Sequence, residues 1–99
     1  MITIDTDLKK DLTITGHAGY APVGSDIVCA AVSVLYETLK GLLKEKATIE
    51  EADGSARLIL KTDQIGDEEE CYLNFFLSGI QGIEKAYPKH VQLMIGRAN

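Results

Sequence analysis

The sequence predicts a two-layer α+β fold, with two helices packed on a mostly antiparallel sheet in the order β-β-α-β-β-α-β. Three observations predict it. Two stretches, from about Asp26 to Lys44 and from about Glu68 to Tyr87, repeat apolar residues at helical spacing. Each follows a pair of short segments in which apolar and polar residues alternate, and one more such segment comes after the second stretch. The chain has 99 residues, which suits a single domain over 1–99 built from one sheet and its covering helices.

Residues 2–16 read as two strands. Ile2, Ile4 and Thr6 alternate, Asp7 to Asp11 turns the chain, and Leu12, Ile14 and Gly16 alternate again. No Asn-Gly pair marks that turn. The next segment, 16–24, holds Gly16, Gly19, Pro22 and Gly24 and is a loop by composition. The first helix follows, with Ser25 or Asp26 as its cap and Val28, Ala31, Val32, Leu35, Leu39, Leu42 and Leu43 as its apolar stripe. A second hairpin is expected over 46–51 and 55–62, turned at Asp53-Gly54, with Leu58 and Leu60 on one face and Ile59 on the other.

The acidic run Asp67 to Glu70 opens the second helix, where negative charge suits the helix dipole. Its stripe is Leu73, Phe76, Leu77, Ile80, Ile83 and Tyr87, and Pro88 ends it. Phe75 and Phe76 point to different sides, so one belongs to the core and the other could be an interface or substrate contact. The last strand is expected over His90 to Ile95, with His90 an ordinary strand or loop residue.

Composition narrows the function. The chain is 45 % hydrophobic and 25 % charged, with two prolines and no tryptophan, as an ordinary folded domain is. Fifteen acidic against ten basic residues leave a net charge of −5. That argues against direct nucleic-acid binding, which needs a basic patch, and favours basic partners. No apolar run approaches the ~20 residues that cross a bilayer. Met1 to Asp5 has no secretory pattern, so the expected location is cytoplasmic, without membrane contact. The two cysteines, Cys29 and Cys71, have no metal-ligand spacing, and in a reducing compartment each is a free thiol. Neither a cofactor nor a metal is called for.

The chemistry is concentrated in Gly16-His17-Ala18 and in Asp26-Ile27-Val28-Cys29-Ala30-Ala31-Val32-Ser33, which a glycine-containing loop joins. With Asp26 as cap, Cys29 is about the third helical residue. Unpaired backbone N–H groups and the positive dipole end favour a thiolate there, and helix starts lower thiol pKa values to roughly 3.5–7.5. A histidine at the preceding strand end can serve as its general base and acid. The same N–H groups could hold an oxyanion. Ser33, four residues on, shares the face of Cys29 and could bond the thiol, a substrate or its own helix. Asp26 could orient His17 or simply cap the helix. Cys71 has no partner motif and reads as a packing residue.

These two segments resemble the signature of Prp, a family of ribosomal-processing cysteine proteases, and the resemblance runs along nearly the whole chain to Gly79 and Tyr87-Pro88. The resemblance implies a cysteine endopeptidase that removes the N-terminal extension of large-subunit ribosomal protein L-twenty-seven, a step needed for ribosome assembly. It puts the catalytic histidine on His17 and the nucleophile on Cys29, with Asp26 and Ser33 in support. It also implies a homodimer, an apolar substrate groove, and a mobile loop from Gly19 to Ser25 that includes Tyr20, Pro22 and Gly24.

Two other functions compete. An acidic ribosome-assembly factor could bind the same ribosomal protein without cutting it. A redox sensor could use Cys29, although no resolving cysteine stands near it in sequence.

Overall fold

The computed structural model describes residues 1–8, 10–22, 24–61 and 66–96. Its elements are β1 (Ile2–Thr6), β2 (Asp11–Thr15), α1 (Ile27–Leu43), a short 3-10 turn (Lys44–Lys46), β3 (Ala47–Ala52), β4 (Ser55–Leu60), α2 (Asp67–Ala86) and β5 (Val91–Ile95). This is the predicted order. The far end of the strand expected over 55–62, at Thr62, lies outside the described residues.

The five strands form one sheet in the order β3-β4-β2-β1-β5. Neighbours run antiparallel except β1 and β5, which are parallel. A parallel neighbour needs a long crossover, and α2 supplies it, carrying the chain from β4 across the sheet to its opposite edge. Alternation puts Ile2, Ile4, Leu12, Leu58, Leu60 and Val91 under the helices, all buried. The helices meet them with Val28, Val32, Tyr36, Leu39 and Leu43 from α1 and Phe76, Leu77 and Ile80 from α2. Phe76 is the core member of its pair; Phe75 is 66 % exposed.

The β1–β2 turn has no glycine, so side chains make it. Asp7 Oδ1 accepts the N–H groups of Lys10 and Asp11, and Thr6 Oγ1 donates to the carbonyl of Asp11. Gly16, just after β2, donates to the Gly54 carbonyl at 2.9 Å and has φ +90°. A β-carbon there would overlap the Met1 carbonyl oxygen. Only glycine lets the end of β2 pass so close to the first residue, and this seats the following histidine beside the β3–β4 turn.

Two expectations need correction. Leu42 is 43 % exposed, while Tyr36, absent from the predicted stripe, is buried. Each residue advances about 100° round a helix, and the buried arc of α1 centres on Val32 and Leu39, leaving Leu42 at its rim. Tyr36 is tolerated inside because its hydroxyl donates to Glu51 at 2.6 Å. Burial and then this carboxylate push its phenol well above the usual range. Cys71, expected to pack, is exposed. It lies five residues before Phe76, which turns it away from the buried side of α2.

Glu69 was not expected inside but is buried. It accepts the Gly66 N–H at 3.1 Å and Lys46 Nζ at 2.7 Å. Lys46 is the main reason its carboxyl is held below the ordinary glutamate range. The bond ties the start of α2 to the end of the 3-10 turn.

Candidate active site

Cys29 is the third residue of α1, as predicted, and is half-buried at the edge of the arc that faces the sheet. Its sulfur therefore reaches the surface beside the loop rather than the core. Asp26 makes the helix start where it does. Its Oδ1 accepts the N–H groups of Val28 and Cys29, each at 2.9 Å, and its Oδ2 accepts those of Tyr20 at 2.9 Å and Ala21 at 3.1 Å. Burial opposes ionisation of this carboxyl, but the four bonds outweigh it and hold the group below the ordinary aspartate range.

Of the two roles open to Asp26 in the sequence, the structure has the cap. Both of its oxygens are committed to backbone. It also pins the loop, which the sequence did not foretell.

The cap corrects a chemical expectation. The N–H groups of Val28 and Cys29 are taken by Asp26 Oδ1, and that of Ala30 bonds the Asp26 carbonyl at 3.0 Å. They are not free to hold an oxyanion. The positive end of α1 already faces a carboxylate as well, which offsets part of its pull on a neighbouring anion. The donor that reaches the sulfur comes from elsewhere: the Ala18 N–H points at Cys29 Sγ, 3.3 Å away.

His17 is exposed, between the end of β2 and the loop. It rests against the β3–β4 turn, where a β-carbon on Gly54 would lie 3.3 Å from Nε2. His17, Asp26, Cys29 and Ser33 line one groove of about 610 Å³, whose wall also includes the loop residues Gly19, Pro22 and Gly24. A smaller cavity of about 150 Å³ shares Ser33 and continues past Gly54 to Tyr36 and Ala56. Ser33 is exposed there, one turn beyond Cys29, with its hydroxyl available to a bound chain.

Among the loop residues predicted for the site, Tyr20 is not in the groove wall. Its ring packs edge-on against Tyr87 and His90, with centroids 5.3 and 5.4 Å apart. Ser25 turns the loop into the helix, donating its N–H to Pro22 at 2.9 Å. Val23 lies outside the described residues.

His90 is the residue that sequence reasoning missed. Its Nδ1 is 2.9 Å from the Ala18 carbonyl oxygen. No spacing signal links position 90 to position 18, because the contact depends on β5 lying beside β1. Among the described residues no cluster of His, Cys, Asp or Glu is arranged to hold a metal ion, and no helix is long and apolar enough to cross a membrane.

Comparison with known proteins adds a second line of argument. The model of the cysteine protease family Prp matches residues 1–92. The ribosomal processing cysteine protease Prp of Staphylococcus aureus is 31 % identical over 103 residues, spanning 94 % of this chain and 97 % of that protein. Two crystal structures of the essential ribosomal processing protease Prp from S. aureus share the fold. The complex with a covalently linked product peptide has a TM-score of 0.87 at 28 % identity, covering 96 % of this chain and 99 % of that one. The complex with a substrate peptide has a TM-score of 0.80 at 27 % identity, with the same coverage.

Proposed function

The chain belongs to the Prp family of cysteine proteases, and from that premise we propose that His17 and Cys29 cut the N-terminal extension from large-subunit ribosomal protein L-twenty-seven. The observation that carries the assignment of residues is the shared groove: the half-buried thiol of Cys29 and the imidazole of His17 line the same cleft. The Ala18 N–H already touches the sulfur.

In the proposed reaction the Cys29 thiolate attacks the scissile carbonyl, forming the S–C bond, while His17 holds the thiol proton. The C–N bond then breaks as His17 passes that proton to the leaving amine. Water, deprotonated by His17, hydrolyses the thioester and frees the thiol.

The wider reading follows the same premise. The enzyme works in the cytoplasm as a homodimer, and the loop residues Pro22 and Gly24, beyond the part that Asp26 pins, shift when an extended peptide enters. The acidic surface suits a basic ribosomal protein. The thiol and histidine beside the groove favour cutting over binding alone.

The test is intact-mass analysis of that ribosomal protein, bearing its extension, after incubation with wild type, Cys29→Ala and Cys71→Ser proteins. Loss of the extension with wild type and Cys71→Ser, and not with Cys29→Ala, is expected. Cleavage by Cys29→Ala would overturn the assignment of the nucleophile. Tight binding without cleavage by any of the three would favour an assembly factor instead.

A further inference from the structure

We infer that His90 is a positioning residue for the nucleophile, acting through the two peptide groups that flank Ala18. This rests on the reading of Cys29 as the reacting thiol. Ala18 is buried, and its two peptide groups have different tasks. On one side its N–H donates to Cys29 Sγ at 3.3 Å. On the other its carbonyl meets His90 Nδ1 at 2.9 Å. A carbonyl oxygen only accepts, so Nδ1 carries the proton in this contact. Bonds on both sides of one α-carbon leave Ala18 little freedom to rotate, so the direction of its N–H is set by His90.

His90 is itself held firmly. Pro88 prevents α2 from continuing, and the turn after it is closed by the His90 N–H donating to the Tyr87 carbonyl at 2.9 Å. The His90 carbonyl accepts the Ile2 N–H at 2.9 Å, which ties it to β1. The Tyr20 ring packs edge-on against the imidazole and anchors the next part of the segment.

The end of α2 and the start of β5 thus form a fixed post beside the catalytic segment. From that post one side chain reaches the residue next to His17. A donor aimed at sulfur bonds a thiolate more strongly than a thiol. Losing its direction should slow the chemical step more than it weakens binding.

The test uses the difference between two amides. Asparagine can place its N–H near the position of Nδ1, while the amide of glutamine lies one carbon further out. His90→Asn, His90→Gln and His90→Leu are compared for kcat and KM on an extended ribosomal peptide. They are also compared for the rate of iodoacetamide alkylation of Cys29 in a Cys71→Ser background, and for melting temperature.

We expect Asn to stay near wild type. Gln and Leu should lose roughly tenfold to a hundredfold in kcat with little change in KM, and should alkylate more slowly. Equal losses in Asn and Gln, no loss in Gln, or a kcat that only follows the fall in melting temperature would overturn the inference. If Leu does not fold, the Asn and Gln pair decides. If wild type cleaves nothing, the protease reading fails, and the alkylation rates still decide the role of His90.

Discussion

His17 rests on Gly54 so closely that a β-carbon at residue 54 would lie 3.3 Å from its Nε2. Gly54 has φ +75°, in the left-handed region, so two demands meet at one glycine. The turn needs a backbone that side chains resist, and the imidazole needs the space a side chain would take.

Gly54→Ala is therefore predicted to cost about 1 kcal/mol of stability from the backbone alone and, separately, to push His17 off its seat. Peptide cleavage should fall by more than the loss of folded protein explains. Thermal unfolding and kcat/KM on the same preparation separate the two effects. An Ala variant with wild-type kcat/KM would mean that His17 needs no such support.

Asp26 holds four backbone N–H groups, two in α1 and two in the loop. Asp26→Ala should lower the melting temperature by on the order of 5 °C, as loss of a helix cap does in a domain of this size. Because its carboxyl is held below the ordinary range, the folded protein binds fewer protons there than the unfolded chain. Its contribution is full above the ordinary aspartate value of about 4 and is lost as pH falls through the lowered folded value. Asp26→Asn should flatten the acid limb of a plot of melting temperature against pH. An unchanged limb would assign that limb to other carboxylates.

Ser33 faces the groove one turn past Cys29 and is exposed. Ser33→Ala should raise KM several-fold and change kcat by less than about twofold, the pattern of a lost binding contact. A fall in kcat with KM unchanged would instead place the hydroxyl in the transition state.

Phe76 is 1 % exposed and Phe75 is 66 % exposed. Phe76→Ala should destabilise the fold by about 3–5 kcal/mol. Phe75→Ser should shift it by no more than about 0.5 kcal/mol, as surface substitutions do. Chemical denaturation measures both. A large cost at Phe75 that grows with protein concentration would point to a contact that buries it, such as the dimer proposed above.

Much of this was legible beforehand because the deciding interactions are local. Alternation at Ile2, Ile4 and Thr6, the stripe Phe76, Leu77 and Ile80, the stop at Pro88 and the Asp53-Gly54 turn all act within a few residues. The cap at Asp26 is local too, and it placed Cys29 as the third helical residue without any tertiary knowledge.

Illegible were the exposure of Cys71, the burial of Tyr36 and Glu69, and the part played by His90. A helical pattern says which residues share a face. It does not say where the edge of that face falls, so Leu42 and Tyr36 exchanged places. Glu69 is inside because Lys46, 23 positions earlier, reaches it.

By itself the sequence determined the layers, the helix starts, and the positions of the thiol and the histidine on either side of a glycine-containing loop. Those depend on backbone preferences and apolar periodicity, which act over a few residues. Only the tertiary structure decided which N–H reaches the sulfur, what steadies it, and what His17 rests on. Ala18 meets Cys29 where the loop folds back on α1, while His90 meets Ala18, and Gly54 meets His17, through sheet pairings that join residues far apart in sequence. Such contacts exist only once β5 has paired with β1 and β4 with β2, because the order of strands in a sheet, not their order in the chain, sets which side chains become neighbours.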